Sequence, residues 1–358
     1  MPRIILTGGG TAGHVTPNIA LLPSLKEAGF ECFYIGSYTG IEKNLIEEAG
    51  IPYYGIASGK LRRYFDLKNF SDPFRVIKGY AQARSIIREI KPDIVFSKGG
   101  FVSVPVVAAA GHLHIPIICH ESDMTPGLAN RLSFPFASKI CCSFNETIDF
   151  LPKNKGIVTG SPIRSELMKG SISKALSYTG FHGDKPVILI IGGSLGALSV
   201  NEAIRRILPA LLKEFDVIHI CGKGKVDPSF SNLEGYVQYE YVQKELRDFF
   251  ALSSLVISRA GSNAICELLA LKKPNLLIPL GTKASRGDQL LNARSFEKKG
   301  YSMVLDEDTM TDASLLQAVK NLYSAREDYI TSMNKAPEKD AAQTITSILL
   351  ENLTTPTA

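Results

Sequence analysis

A histidine closes a glycine-rich turn near the start of this 358-residue chain: Gly8-Gly9-Gly10-Thr11-Ala12-Gly13-His14 follows a short apolar run, and Pro17 opens a helical stretch. Glycines let the backbone approach a ligand where the first amides of a helix point outward, so the turn suits an anion such as a phosphate. The positive end of that helix favours a neutral imidazole, which leaves His14 usable as a base or hydrogen-bond partner. His120-Glu121, at the end of another apolar run, supplies a second candidate base. A second turn of the same make, Gly192-Gly193-Ser194-Leu195-Gly196-Ala197, opens the second half of the chain, so two helix ends are candidates to face phosphates.

Several classes of chemistry are disfavoured. Gly8, Gly10 and Gly13 match GxGxxG, yet a dinucleotide site wants an acidic residue at the end of the second strand, where this chain has Ile35-Gly36-Ser37. Asp306-Glu307-Asp308 spells the DxD of metal-dependent glycosyltransferases, but it lies late in the chain before Thr309, Thr311 and a helical stretch. It reads as a solvated turn, with no metal and no cofactor expected. The six cysteines form no CxxC pair, which argues against a zinc site or a disulfide framework and suits a reducing cytoplasm. A formal net charge of +5 suits a phosphate ester or an anionic membrane surface and falls short of a nucleic-acid binder. No segment is apolar for long enough to span a bilayer, so membrane contact would be peripheral.

The elements that must position these residues alternate. Strand-length runs at Ile4 to Thr7, Cys32 to Ile35, Ile94 to Ser97 and Ile115 to Cys119 are each followed by a helix-length amphipathic stretch. The pattern restarts after Lys185-Pro186 with Val187 to Ile191, Val217 to Cys221, Leu255 to Ser258 and Asn275 to Ile278. This predicts an α/β chain of two doubly wound parallel-sheet domains. Thr159-Gly160-Ser161-Pro162-Ile163-Arg164 combines turn formers with a proline and makes a hinge, giving domains of residues 1–160 and 161–339. Apolar residues at helical spacing, Ala341, Ile345, Ile348 and Leu349, predict a terminal helix over about 340–358 that can pack back on the first domain.

At these turns the sequence resembles the MurG family of bacterial peptidoglycan glycosyltransferases, beginning with Thr7 to Pro17. Further landmarks follow in that family's order: Lys98-Gly99-Gly100-Phe101-Val102-Ser103-Val104-Pro105, His120-Glu121-Ser122-Asp123 through Asn130, Gly160 to Arg164, Gly192 to Ala197, Ser258-Arg259-Ala260-Gly261, and Asp288-Gln289. The resemblance implies a GT-B architecture, two Rossmann-like domains with an interdomain cleft. It implies an inverting transfer of N-acetylglucosamine from UDP-N-acetylglucosamine to the 4-hydroxyl of a lipid-linked MurNAc-pentapeptide. The donor would be held mainly by the second domain and the acceptor by the first, on the cytoplasmic face of the cell membrane, with cell-wall synthesis enzymes as possible partners.

It also implies roles for individual residues. Glu267 would hold the ribose hydroxyls; its place after Arg259 to Asn263 predicts the first turn of a helix, where the bland role is complementing the helix dipole. Val242 and Leu246 would line the uracil pocket, though spacing alone reads them as core. Ser194 and Arg164 would meet the donor phosphates, stabilising the departing UDP without a metal. Asp288 and Gln289 would touch the transferred sugar, with Asp standing where the family has Gln. Asn292 is a weaker candidate on the same helix, where a solvated surface position explains it equally well. Thr11, Gly13 and Asp123 align with donor-binding positions, and Gly9, Gly10, Gly100 and Asn130 with phosphate- or acceptor-facing ones. His14 would bind or deprotonate the acceptor, and Glu121 remains the other candidate for the proton.

From Lys60 to Lys78, Arg62, Arg63, Lys68 and Arg75 interleave with Leu61, Tyr64, Phe65, Phe70 and Phe74, a composition suited to anionic headgroups and equally to a loop with core aromatics. Three other functions fit parts of the pattern: transfer to a different lipid or small-molecule acceptor, UDP-N-acetylglucosamine 2-epimerisation, and a non-catalytic sugar-nucleotide-binding scaffold.

Overall fold

The computed structural model describes residues 1–59, 72–193, 196–281, 287–337 and 340–353. The chain divides into two compact units. One runs from Met1 to Arg164 and takes in the C-terminal helix; the other begins at Ser165. The division falls at the end of the Thr159 to Arg164 turn segment rather than at Gly160.

In the first unit, β1 (Arg3–Thr7), β2 (Glu31–Ser37), β3 (Tyr53–Ile56), β4 (Ile94–Ser97), β5 (Ile117–Glu121), β6 (Lys139–Cys142) and β7 (Gly156–Val158) form one parallel sheet in the order β3-β2-β1-β4-β5-β6-β7. The crossovers are helices α1 (Thr16–Glu27), α2 (Ile41–Glu48), α3 (Asp72–Ile90), α4 (Ser103–His112) and α5 (Leu128–Ser133). A parallel sheet is covered on both faces, so its strands are continuously apolar and successive residues feed opposite cores. Ile4 and Leu6 of β1 pack with Leu21 and Leu25 of α1, while Ile5 packs with Val95, Val106 and Val107 on the other side. Pro17 lies in the first turn of α1, where a missing N–H removes no helical bond.

The second unit repeats the plan with β8 (Val187–Ile191), β9 (Asp216–Ile220), β10 (Tyr236–Tyr239), β11 (Leu255–Ser258), β12 (Asn275–Leu277) and β13 (Met303–Val304), all parallel in the order β10-β9-β8-β11-β12-β13. Its helices are α6 (Ile172–Thr179), α7 (Leu198–Leu211), α8 (Leu246–Leu252), α9 (Ser262–Ala270), α10 (Asp288–Lys298), α11 (Asp312–Ser324) and α12 (Arg326–Asn334). Thr311 caps α11 by accepting from Ser314 N while Ser314 Oγ accepts from Thr311 N.

Helix α13 (Ala341–Leu353) returns to the first unit, where Ile345, Ile348 and Leu349 join the core built by β1 and α1. Among the described residues no helix is long and apolar enough to cross a membrane. Residues 60–71 of the basic-aromatic segment lie outside the described residues; beyond them, Phe74 and Ile77 on α3 are 75% and 66% exposed.

Candidate active site

In each unit the strand order reverses beside the first strand of the sheet, and the loops leaving the strands there diverge to opposite sides. The crevice so opened at the carboxyl ends of the strands is where open α/β sheets bind ligands. In the first unit it lies between β1 and β4, with Gly8 to His14 following one and Lys98 to Gly100 the other. These two turns interlock through glycine. Gly9 N donates to Gly99 O at 3.3 Å, and a Cβ on Gly100, whose φ is +86°, would lie 2.2 Å from Gly9 O. A side chain there would force the turns apart.

The acidic residue missing from the end of β2 is replaced from α2. Buried Glu42 accepts from Ser37 N at 3.1 Å, Ser37 Oγ at 2.5 Å and Gly10 N at 3.4 Å, so its carboxylate braces the turn. Nothing in the spacing of Glu42 marked it, since it reads as one of several charged residues on a surface helix.

His14 ends a single 3-10 turn, Ala12–His14, just before α1. Its Nδ1 lies 2.9 Å from Thr11 Oγ1. With Nδ1–H donating to that hydroxyl, Nε2 carries the lone pair a base needs. Burial first, and then the charge of Lys98, hold the imidazole below the ordinary histidine range, against the opposing pull of Asp123 and Glu42.

Glu121 is held differently. It ends β5 at 4% exposure, with Oε1 accepting from Asp123 N at 2.9 Å and Oε2 accepting from Gly127 N at 3.1 Å and Asn130 Nδ2 at 2.8 Å. Both oxygens shape the loop over residues 122–130, which carries Asp123 and Asn130. Burial, and then the neighbouring Asp123 charge, push this carboxyl up to about 7. The stability that a raised carboxyl pKa contributes is complete below the unfolded value and is lost as pH rises through about 7. Glu121→Gln should therefore be more stable relative to wild type at pH 8 than at pH 5. Glu121→Ala should lose about 1–3 kcal/mol for each amide left without an acceptor. Thermal unfolding at the two pH values checks both, and equal losses for Gln and Ala would contradict this bracing role.

In the second unit the reversal lies between β8 and β11. Of the turn after β8, Ser194 and Leu195 lie outside the described residues. Gly196, at φ +67°, packs so closely that a Cβ would meet Cys221 O at 2.0 Å. Arg259, just past β11, is 9% exposed and ties together the start of α7 and the segments after β12 and β13: it donates to Ile278 O at 3.1 Å, Pro279 O at 3.3 Å, Ser199 Oγ at 3.1 Å and Glu307 Oε1 at 2.6 Å. Gly281 N donates to Glu307 Oε2 at 2.9 Å, and Ser199 Oγ also donates to that carboxylate. The Asp306 to Asp308 stretch is thus a turn solvated only in part, with Asp308 exposed and Glu307 turned inward. Asp306 pairs with Arg294 at 2.9 Å and Glu307 is the anchor of a buried guanidinium, because residues far apart in sequence converge at the strand ends.

Two further expectations are corrected. Helix α9 starts at Ser262 with Gly261 as its N-cap, so Glu267 stands in the second turn rather than the first. The extra turn arises because Ser262 and Asn263, read as loop and cap, already have helical geometry. Asn292 is fully buried rather than on a solvated face, and its Nδ2 donates to Ala260 O at 3.3 Å. Gln289 supports backbone, its Oε1 accepting from Leu280 N at 3.0 Å, and Asp288 is the first residue of α10 after Gly287 at φ +84°. Val242 is half-buried in the loop after β10, and Leu246 opens α8 at 7% exposure. Arg164 is half-buried at the end of the first unit.

The first unit therefore gathers Gly9, Gly10, Thr11, Gly13, His14, Gly100, Glu121, Asp123 and Asn130 around the ends of β1, β4 and β5. The second gathers Val242, Leu246, Glu267, Asp288 and Gln289 past the ends of β10, β11 and β12. The residues that sequence reading missed as site-forming are Glu42, Arg259 and Lys98, each a charged side chain folded inward.

Two doubly wound sheets, each with a glycine turn at its switch point, form the framework of a GT-B glycosyltransferase. The chain belongs to glycosyltransferase family 28: residues 4–142 match the family's N-terminal domain and residues 187–345 its C-terminal domain. It is 64% identical to the UDP-N-acetylglucosamine--N-acetylmuramyl-(pentapeptide) pyrophosphoryl-undecaprenol N-acetylglucosamine transferase of Lachnospira eligens, over 98% of this chain and 99% of that one. It is 56% identical to the protein of the same name from Clostridium tetani, over 97% of each. Among solved structures, Acinetobacter baumannii MurG is similar in fold, with a TM-score of 0.74 at 24% identity, covering 98% of this chain and 100% of that one. A UDP-N-acetylglucosamine 2-epimerase shares the fold at a TM-score of 0.70 and 15% identity, covering 98% of this chain and 95% of that one.

Proposed function

We infer that this chain is a hexosyltransferase of peptidoglycan synthesis, moving N-acetylglucosamine from UDP-N-acetylglucosamine to the N-acetylmuramyl-(pentapeptide) pyrophosphoryl-undecaprenol acceptor. The observation that carries the chemistry is His14: a neutral-leaning imidazole on a glycine turn at a strand-order reversal, in a chain with full-length relatives named for this transfer.

His14 Nε2 takes the proton from the 4-hydroxyl of the muramyl sugar as that oxygen attacks the anomeric carbon. The bond from that carbon to the UDP phosphate oxygen breaks on the opposite face, inverting the centre. Arg164 and the amides of the Gly192 to Ala197 turn stabilise the charge on departing UDP. Glu267 accepts from the ribose hydroxyls, Val242 and Leu246 cover the uracil, and Asp288 and Gln289 meet the transferred sugar. Thr11, Gly13 and Asp123 complete the donor side, while Gly9, Gly10, Gly100 and Asn130 face the acceptor and its pyrophosphate. Glu121 serves by holding the loop that carries Asp123 and Asn130.

We propose that the reaction needs no metal, because two carboxylates of the DxD stretch are already engaged, Asp306 with Arg294 and Glu307 with Arg259 and Gly281 N. The enzyme works at the cytoplasmic face of the membrane as a peripheral protein, and the exposed Phe74 and Ile77 support that reading. Transfer of labelled N-acetylglucosamine to a short-chain acceptor, in EDTA and with the acceptor in anionic or neutral vesicles, tests all of this. Chelator-resistant transfer that is faster on anionic vesicles is expected. No transfer, or product formed without acceptor, overturns the assignment.

A further inference from the structure

Alternate residues of a strand share a face, and on β9 one such face is broken by a histidine. Val217 packs into the apolar core with Ile204 and Leu208 of α7, whereas His219, two residues on, meets α7 through Asn201. Both polar side chains are buried. Such groups cost stability unless each finds a partner, and here each does. The Tyr236 hydroxyl, from β10, lies 2.9 Å from His219 Nδ1, His219 Nε2 lies 2.9 Å from Asn201 Oδ1, and Asn201 Nδ2 donates to Cys221 O at 2.8 Å.

The direction of this chain is forced from its far end. A carbonyl only accepts, so Asn201 turns its amide nitrogen to Cys221 O and its oxygen to the ring. Nε2 therefore carries the histidine proton, and Nδ1 accepts from the Tyr236 hydroxyl. Burial, and then the Arg205 charge, keep the imidazole neutral by holding its pKa down at about 3.

Cys221 O is also the seat of the glycine turn after β8, since it is the atom that a Cβ on Gly196 would strike. Lys225 Nζ donates to Gly196 O at 3.2 Å, and Asn201 N donates to Ala197 O at 2.8 Å in the first turn of α7. An apolar contact alone would leave the start of α7 free to shift along β9, whereas a fully satisfied buried network admits one arrangement.

We propose that Asn201, held in its orientation by His219 and Tyr236, is a positioning residue for the donor diphosphate: it pins the start of α7 to the end of β9 and so sets the glycine turn whose amides face the phosphates. The role in transfer rests on the reading of that turn as the donor-phosphate site; the hydrogen-bond chain does not.

Asn201→Asp keeps the shape of the side chain but sets an oxygen against Cys221 O. Tyr236→Phe removes only the hydroxyl that serves Nδ1, and is read in the same way should the first variant not fold. Calorimetric titration of the full chain with UDP, and with uridine, which shares base and ribose but has no phosphate, separates the turn from the rest of the donor pocket. In Asn201→Asp the affinity for UDP is expected to fall about tenfold, the worth of one hydrogen bond to a charged group, while that for uridine holds. Tyr236→Phe should move in the same direction by less. Nitrogen-15 spectra of labelled histidine should show His219 of the wild type neutral, with its proton on Nε2. Equal losses for UDP and uridine, or no loss, in a variant with wild-type circular dichroism overturn the proposal, as does a His219 proton on Nδ1. A wild-type chain that binds neither ligand overturns the donor reading and this proposal with it, a failure told apart because it precedes any substitution.

Discussion

Replacing His14 by alanine is expected to lower kcat by roughly 10²–10⁴-fold, the range over which positioned general bases act, with KM for UDP-N-acetylglucosamine nearly unchanged. The split follows from the geometry. The imidazole belongs to the turn after β1, whereas the side chains assigned to ribose, uracil and sugar stand in the second unit, so its loss removes a proton acceptor and little donor binding. The fold should tolerate the change, since the ring is partly exposed and its described hydrogen bond is to Thr11 within the same turn. The pH dependence carries a sign as well. A base must be deprotonated to act, and burial with the Lys98 charge lowers the pKa of His14, so the acidic limb of kcat/KM should lie below the ordinary histidine value near 6.5. Steady-state rates across pH 5 to 9 measure this. Full turnover in the alanine variant, or an acidic limb above that value, would remove His14 from the proton transfer and return the question to Glu121.

What could be read from the sequence was local. The glycine turns were legible because close backbone approach demands glycine, and because an apolar run before it and Pro17 after it mark a strand-to-helix junction. Central strands such as β1, β4, β8 and β11 were legible from unbroken apolar runs. The strands β3, β7, β10 and β13 are 2–4 residues long, with side chains mostly half-buried, so their pattern resembles loop. Inward-folded charges were hidden for a different reason. Lys98 and Glu42 sit beside glycines or on a surface-like helix, and only tertiary packing turns them inward. Arg259 and Glu307 are 48 residues apart, so no window of sequence contains both. Asn292 shares a face with Asp288, and the spacing said nothing of whether that face meets water or the carbonyl of Ala260. The tail declared itself a helix by its period, while its choice of the first unit depends on the shape of the surface it covers. The GT-B assignment therefore came from seven ordered motifs acting together, whereas the bracing that makes them a site came from contacts.

Glu307→Ala should be the most disruptive single change in the second unit. It leaves the Arg259 guanidinium buried with its ion-pair partner removed and deprives Gly281 N of its acceptor, a loss on the order of 3 kcal/mol. Although burial alone would raise the carboxyl, the hydrogen bonds from Arg259, Ser199 and Gly281 N hold it down at about 2. A lowered carboxyl pKa contributes stability that is complete above the unfolded value near 4.5 and is lost as pH falls from there through about 2. The melting temperature of the full chain should therefore drop at pH 7, and the difference between wild type and variant should narrow below pH 4. Because the same clamp joins the start of α7, the end of β12 and the loop after β13, KM for the donor should rise while the His14-dependent acidic limb stays in place. Glu307→Gln keeps an acceptor for one of these donors and should fall between the two. A variant that melts like wild type at pH 7 and binds donor equally well would mean that Arg259 is held by Ile278 O, Pro279 O and Ser199 alone, and that the carboxylate is dispensable.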